Sequence, residues 1–156
     1  MINVLFVCLG NICRSPMAEA MFRDLVKREG LEHKVHIDSA GTGDWHVGSQ
    51  PHEGTRGILA KYNIHAEGLR ARQMRESDLQ DFQYIVAMDA SNVQNIRKLV
   101  KENSHAHIVR LLDYVDEKQD KDIPDPYFTG DFEETYELVK IGCTNLLKEV
   151  RRNHNI

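Results

Sequence analysis

The sequence predicts an α/β protein built on a parallel β-sheet, and two observations carry this prediction. Four short runs rich in β-branched and apolar residues are spread along the 156-residue chain. The segments between them repeat apolar residues with the 3.6-residue period of amphipathic helices. Strands that alternate with helices form right-handed βαβ units, and such helices cover both faces of a parallel sheet. The predicted strands span 3–8, 34–39, 84–88 and 107–111.

The helical pattern is clearest in the first and last predicted helices. The first spans about 16–29, because Pro16 suits a first helical turn and Gly30 ends the pattern. The last spans about 132–152, where apolar residues recur on one face throughout. Between them we predict a helix that starts at Pro51, a short helix around 76–80 and a helix over 91–102.

The composition predicts one domain over residues 1–156. No repeat, low-complexity tract or Pro/Gly/Ser-rich linker divides the chain. The net charge of -4 and the lack of a basic stripe argue against a nucleic-acid partner. No apolar run approaches the roughly 18–20 residues of a membrane span, so we expect no membrane association.

Three cysteines in no scaffold spacing fit a reducing compartment. The first residues also lack the basic lead of a signal peptide and enter a predicted strand at once. We therefore expect a cytoplasmic protein, and a monomer is the default expectation.

The most informative feature follows the first predicted strand. Cys8 ends that strand, and a short loop leads from it to Arg14 at the start of a helix. Such a loop gathers backbone N–H donors, the positive end of a helix and a guanidinium around one sulfur. These surroundings suit a tetrahedral oxyanion and favour the thiolate form of a cysteine. We therefore predict a phosphate-binding loop with Cys8 as a covalent nucleophile.

The residue types in the loop support this interpretation. Gly10 allows a close approach of the backbone or a positive φ, and Asn11 suits a left-handed turn. Arg14 offers a planar fork to two phosphate oxygens, and Ser15 can donate to the sulfur from the N-cap position. Besides Cys8 and Arg14, the predicted loop residues are Leu9, Gly10, Asn11, Ile12, Cys13 and Ser15.

A thiolate that attacks a phosphate ester needs an acid to protonate the leaving oxygen. The candidate is Asp125, which stands between two prolines in a stiff loop and precedes the aromatic pair Tyr127 and Phe128. It lies in a stretch over 113–137 with ten acidic residues and two lysines. That stretch is either a solvent-exposed loop and helix face or the segment that supplies the acid. Its negative charge suggests that basic residues flank the phosphorylated residue of the substrate.

The chain lacks the sequence motifs of nucleotide-binding and metal-binding sites. The chain has no Gly-Lys pair for an NTP-binding loop and no G-x-G-x-x-G. Its eight histidines form no H-E-x-x-H and no Cys/His cluster. We therefore expect neither a metal ion nor another cofactor.

Three motifs carry a family resemblance: C-x4-C-R-S-P-M-A-E from Cys8, D-S-A-G-T over 38–42 and D-P-Y over 125–127. Together they resemble the low-molecular-weight protein tyrosine phosphatases, over essentially the whole chain. The C-x5-R-S element occurs in other cysteine phosphatases, whereas its N-terminal position and the late D-P-Y are specific to this family. The resemblance implies a four-stranded parallel sheet with helices on both faces, in the flavodoxin-like order 2-1-3-4.

The resemblance also implies how the site works. Cys8 is the nucleophile, Arg14 binds the phosphate, and Asp125 is the general acid and then the base for a phosphocysteine intermediate. The implied substrates are phosphotyrosine-containing proteins or peptides, and inorganic phosphate is the implied product.

Further positions match bracing and lining residues of the family. Asp89 matches a recurrent motif near the site, and we expect it to be structural or to act through a neighbouring site residue. Cys13 matches a cysteine that can form a reversible disulfide with the nucleophile in relatives. The matched bracing residues are Asn11, Ser15 and Ser39, and the matched cleft walls are Trp45, Tyr127 and Phe128.

The chain departs from the family at one place. Members from higher organisms often carry a histidine before A-R-Q, whereas the segment over 68–73 has none. We expect the bracing bond that it provides to be missing or to be supplied by Arg72.

Three alternatives stay open on the same scaffold. A protein arginine phosphatase is one, although those relatives hold a threonine where Ile12 stands. A phosphate-binding protein switched by oxidation of Cys8 and Cys13 is another. An arsenate reductase needs two further cysteines in a mobile segment, and beyond the loop this chain offers only Cys143.

Overall fold

A computed structural model describes residues 1–101 and 104–156 of the chain. Four strands form one parallel sheet in the order β2-β1-β3-β4, which confirms the predicted fold class and strand order. The strands are β1 (Ile2–Cys8), β2 (Val35–Gly41), β3 (Tyr84–Ala87) and β4 (His107–Arg110).

The helices that pack around this sheet are α1 (Arg14–Arg28), α2 (Glu53–Lys61), α3 (Asp78–Asp81), α4 (Ala90–Arg97), α5 (Pro126–Thr129) and α6 (Phe132–His154). A 3₁₀ turn, Leu111–Tyr114, follows β4. Helix α4 ends at Arg97, earlier than the predicted 102, and Glu102 itself lies outside the described residues. The short helix predicted around 76–80 corresponds to α3, whereas the 3₁₀ turn and α5 were not predicted.

Strand β1 is buried on both faces, and its alternating side chains divide the core in two. Val4 and Phe6 face the larger cluster, which α1, α6 and the 3₁₀ turn complete. Leu5 and Val7 face a smaller cluster, to which α3 and α4 contribute. Burial on both faces explains why β1 is a continuous apolar run rather than an alternating one.

The strand order places the end of β1 at a switch point of the sheet. The chain passes from β1 to β2 on one side, and later returns to β3 on the other side of β1. The loops after β1 and β3 therefore diverge and leave a crevice beyond their carboxyl ends, where ligands bind in open parallel sheets. Cys8 ends β1 at this crevice, and Asp89 follows β3 there.

Among the described helices, none combines the length and the apolar character needed to cross a membrane.

The contact between α6 and the 3₁₀ turn generates a stability prediction. A Cβ built on Gly142 would lie 2.4 Å from Leu111 Cγ, and Leu111 is fully buried. We expect Gly142→Ala to lower the free energy of unfolding by about 1–3 kcal/mol, because overpacking outweighs the higher helix propensity of alanine. Chemical denaturation measures the change.

Gly57→Ala is the matched control, because Gly57 also lies inside a helix but a Cβ there meets no neighbouring element within 4 Å. We expect this variant to be more stable by about 0.5–1 kcal/mol. A Gly142→Ala protein as stable as wild type would contradict tight packing at Leu111.

Candidate active site

The loop after β1 turns sharply at Asn11, whose φ of 55° is the left-handed conformation predicted for it. For Gly10 the sequence allowed either a positive φ or a close approach to the backbone. The structure shows the second, because Gly10 has no positive φ. A Cβ on Gly10 would lie 3.0 Å from the His46 ring. The loop is thus shaped by one left-handed residue and by one glycine that lies close to the His46 ring.

Three carbonyl groups of the loop accept hydrogen bonds from backbone N–H groups outside the loop. The backbone N–H groups of Thr42, Gly43 and His52 donate to the carbonyls of Cys8, Leu9 and Ile12, at 2.9, 2.9 and 2.7 Å. In contrast, no described oxygen accepts a hydrogen bond from the backbone N–H groups of residues 9–15. Buried backbone donors nearly always have partners, so a run of free N–H groups at a helix start indicates an anion site.

A hydrogen-bonded chain of side chains supports the Cys8 sulfur. Ser15 Oγ lies 3.0 Å from Cys8 Sγ, and the Asn11 amide donates to Ser15 Oγ at 2.8 Å and to Ser39 Oγ at 3.0 Å. The Ser39 hydroxyl donates to Glu19 Oε1 at 2.6 Å. Since the Asn11 amide already donates to Ser15 Oγ, the Ser15 hydroxyl hydrogen is free to point at the sulfur.

Two details of the predicted bracing residues are corrected. Ser15 is not the N-cap of α1, since Cys13 holds that position without a side-chain cap bond and the helix begins at Arg14. The Ser15 hydroxyl is engaged by Cys8 and Asn11 instead. Ser39 does not end β2 but lies within it, because the strand continues to Gly41.

Glu19 is a residue of this network that was not singled out, although it is the final residue of the first motif. It is buried, and burial raises the pKa of its carboxyl, against the opposing influence of the Ser39 hydroxyl and the Arg23 guanidinium. Arg23 donates to Glu19 Oε2 at 2.6 Å. The carboxylate therefore anchors the far end of the chain that leads to Cys8.

Arg72, in the segment that lacks a histidine, contacts the loop through its backbone. Its N–H donates to Asn11 Oδ1 at 3.0 Å. Its guanidinium pairs with Asp38 and Asp78, at 3.0 Å in both cases. Burial alone would lower the pKa of Arg72, but these two carboxylates raise it above its ordinary value.

Arg14 is buried at the start of α1 with 2% of its surface exposed. It donates to Asp89 Oδ2 at 2.6 Å, to the carbonyl of Ile123 at 2.9 Å and to Asp125 Oδ2 at 3.3 Å. Burial opposes its charge, but the negative charges of Cys8, Asp89 and Asp125 outweigh burial and raise the pKa of Arg14. These bonds use three of its five N–H groups, and the Nε–H and the second Nη2–H have no partner among the described residues, which leaves two donors for a ligand.

Asp89 and Asp125 each cap the N-terminus of a helix and also accept a hydrogen bond from Arg14. Asp89 is the N-cap of α4 and accepts from the Asn92 N–H at 2.8 Å. Asp125 is the N-cap of α5 and accepts from the Tyr127 N–H at 3.1 Å. Each carboxylate thus uses one oxygen to cap a helix and the other to contact Arg14.

Asp125 and Cys8 line one cleft of about 210 Å³. Its rim is aromatic and exposed, with Trp45 68% and Phe128 75% accessible. The cleft brings together most of the predicted site residues and adds His46, which no sequence motif marked. The other lining residues are Leu9, Gly10, Ile12, Cys13 and Tyr127.

Cys13 lines the same cleft, in surroundings that oppose ionisation of its thiol. Burial raises the pKa of the Cys13 thiol to about 12, and the negative charges of Asp125 and Cys8 act in the same direction. Both cysteines, and Cys143 in the core, are free thiols.

No group of three or more His, Cys, Asp or Glu side chains is placed to hold a metal ion in the part of the chain that the structure describes.

A parallel α/β fold that presents a cysteine, free backbone donors and a buried arginine at its switch point defines a cysteine-dependent phosphatase. The sequence profile of the family described as low molecular weight phosphotyrosine protein phosphatase matches residues 3–155. The chain belongs to this family.

Three relatives support the assignment. The chain is 54% identical over 156 residues to the low molecular weight protein-tyrosine-phosphatase YfkJ of Bacillus subtilis, covering 100% of both proteins. The crystal structure of YfkJ matches with a TM-score of 0.95 at 55% identity, covering 98% of this chain and 96% of that one. The PtpA phosphatase of Staphylococcus aureus is 44% identical over 156 residues, covering 100% of this chain and 98% of PtpA.

The third relative is DARP, a Drosophila arginine phosphatase. Its crystal structure matches with a TM-score of 0.89 at 33% identity, covering 97% of this chain and 98% of that one.

The contrast between the cysteines generates a labelling prediction. At neutral pH we expect iodoacetamide to modify Cys8 first, because thiolates react and the raised pKa of about 12 keeps Cys13 protonated. Burial raises the pKa of Cys143 as well. Peptide mapping by mass spectrometry after timed exposure measures the order, and Cys13→Ser is the control that retains rapid labelling. Equal rates at Cys8 and Cys13 would contradict the prediction.

Proposed function

We propose that this protein hydrolyses phosphotyrosine in proteins or peptides through a covalent intermediate on Cys8. The observation that carries the proposal is that Cys8 and Asp125 line the same cleft, with Arg14 in contact with Asp125. A nucleophile and an acid on either side of an anion site are the two groups that phosphate-ester cleavage requires.

In the first step the phosphate is bound by the N–H groups of the loop and by Arg14. Cys8 Sγ attacks phosphorus in line, so that an S–P bond forms as the bond from phosphorus to the phenolic oxygen breaks. Asp125 gives its proton to that oxygen, and tyrosine leaves. The fixed donors stabilise the charge on the transferring group because they are oriented before the reaction begins.

In the second step Asp125 acts as a base. It takes a proton from a water molecule whose oxygen attacks the phosphocysteine, the S–P bond breaks, and the electron pair returns to Cys8 as a thiolate. Inorganic phosphate leaves, and Asp125 carries the proton for the next cycle. The Ser15 hydroxyl, 3.0 Å from the sulfur, stabilises the thiolate as the leaving group.

Phosphotyrosine suits the cleft because its walls are apolar and aromatic. Ile12, Trp45 and Tyr127 line it together with Phe128. A planar ring that extends from the phosphate contacts these surfaces, whereas the shorter serine side chain leaves them without a partner.

Phosphoarginine is the second candidate, favoured by the similarity to the Drosophila arginine phosphatase. Ile12 favours phosphotyrosine instead, because it offers an apolar contact to a ring where arginine phosphatases hold a threonine. A phosphate-binding protein switched by Cys8 and Cys13 is less well supported, since a binder has no use for the carboxyl of Asp125 at the cleft.

We further propose that the protein acts in the cytoplasm, as a monomer, with residues 1–156 forming one domain. Its three free cysteines support a reducing environment.

Steady-state hydrolysis of matched phosphotyrosine, phosphoserine and phosphoarginine peptides tests the proposal. We expect the highest kcat/KM for phosphotyrosine, and no turnover by Cys8→Ser, because a serine hydroxyl stays protonated at neutral pH. Circular dichroism verifies that the variant is folded. Turnover by folded Cys8→Ser would refute covalent catalysis at Cys8, and a higher kcat/KM for phosphoarginine would replace the substrate.

Asp125→Asn tests the acid separately, since asparagine is an equally good N-cap and keeps α5 in place. We expect a loss of roughly 10²–10⁴-fold in kcat for phosphotyrosine, whose leaving group needs a proton. The loss should be much smaller for an aryl phosphate with a strongly electron-poor ring. Comparison of the two substrates measures the difference, and an equal loss on both would remove Asp125 from the acid role.

A further inference from the structure

Two arginines beside the cleft have no role in the proposed chemistry. Seven of the eleven arginines form ion pairs with carboxylates. Among the described residues, Arg56, Arg70, Arg75 and Arg97 form none. Arg56 and Arg70 are both exposed and line one shallow depression, although they lie in different segments of the chain.

The backbone fixes this depression. The Ala71 N–H donates to the Ser49 carbonyl at 2.9 Å, and the Gly48 N–H donates to the Ala71 carbonyl at 2.8 Å. These bonds hold Arg70 beside the segment over 48–52. Arg56 Nε donates to the Pro51 carbonyl at 3.0 Å, which leaves both terminal nitrogens of that guanidinium for a ligand.

His52 joins the depression to the cleft. It lines the depression, its N–H donates to the Ile12 carbonyl at 2.7 Å, and its ring lies 6.1 Å from that of Tyr127. An extended peptide advances about 3.3–3.6 Å per residue, so a chain anchored in the cleft can reach His52 within a few residues. The depression is thus within reach of the residues that flank a bound phosphotyrosine.

The charge of the depression favours an anion. Arg56 and Arg70 face it together, and Glu53 is the one carboxylate among its described lining residues. The acidic stretch over 113–137 suggested basic groups beside the substrate, but four of its ten acidic residues form ion pairs within the fold, namely Asp113, Asp122, Asp125 and Glu133. Asp122 pairs with Arg110, and Glu133 pairs with Lys61.

We propose that Arg56 and Arg70 form a subsite for an anionic group, a carboxylate or a second phosphoryl group, next to the phosphotyrosine of the same peptide. This inference rests on the proposed function and adds a preference for acidic flanking sequence. Exposed charge pairs contribute modestly and are weakened by salt, so the preference is strongest at low ionic strength.

Three phosphotyrosine peptides test the subsite, with glutamate, glutamine or phosphoserine at the flanking positions. For wild type at low salt we expect kcat/KM to be roughly 3–10-fold higher with glutamate than with glutamine. The ratio should fall to about one in the double variant Arg56→Gln, Arg70→Gln, and phosphoserine decides which anion is preferred. A simple aryl phosphate should be hydrolysed equally by both proteins, since it does not reach the subsite.

The double variant Arg75→Gln, Arg97→Gln is the matched control, because it removes the same charge outside the depression and should retain the full ratio. A wild-type ratio of one or less, or an equal loss in both double variants, would overturn the subsite. If wild type hydrolyses the aryl phosphate, either result leaves the proposed function standing, whereas no hydrolysis of the aryl phosphate would refute that function first.

Discussion

The buried guanidinium of Arg14 is the interaction on which the arrangement of the site depends. A cation taken out of water costs several kcal/mol unless charges and acceptors surround it. Here the compensating groups come from distant parts of the chain: Asp89 after β3, and Ile123 and Asp125 before α5. Arg14 therefore fixes the loop after β1, the end of β3 and the segment that carries the acid relative to one another. In the proposed mechanism, the charge that binds phosphate also assembles the groups that act on it.

A second constraint is the direction of the hydrogen bonds around Cys8. The Glu19 carboxylate can only accept while it is ionised, so Ser39 donates to it and must accept from Asn11. The same Asn11 amide donates to Ser15. A thiolate can only accept, and the one remaining hydrogen on the Ser15 hydroxyl suits it. The order of donors, read from the buried carboxylate outward, thus favours a negative sulfur at its end, and neighbouring bonds of this kind strengthen one another.

Local signals were enough to predict the parallel sheet and several of the residues that the structure brings together at the cleft. The apolar run before Cys8, the glycine and asparagine in the loop, and the prolines around Asp125 each act through their immediate neighbours in the chain. His46 and Glu19 were not predicted, because their positions in the site depend on tertiary contacts. His46 lines the cleft, and Glu19 accepts a hydrogen bond from Ser39. The N-cap assignment of Ser15 was wrong for a related reason, since its hydroxyl is taken by Cys8 and Asn11.

The cleft combines a buried base with an exposed rim, and substitutions in the two parts are expected to have different effects on stability. Cys8, Arg14 and Asn11 are buried and each hydrogen bond there depends on another, so a change at one position disturbs several. Trp45 and Phe128 are mostly exposed and pack little against the core. Substitutions at the rim therefore cost little stability, while they change the surface that meets the substrate. A scaffold divided in this way can keep its buried base while the surface that meets the substrate varies, and relatives named as a tyrosine phosphatase and as an arginine phosphatase share this fold.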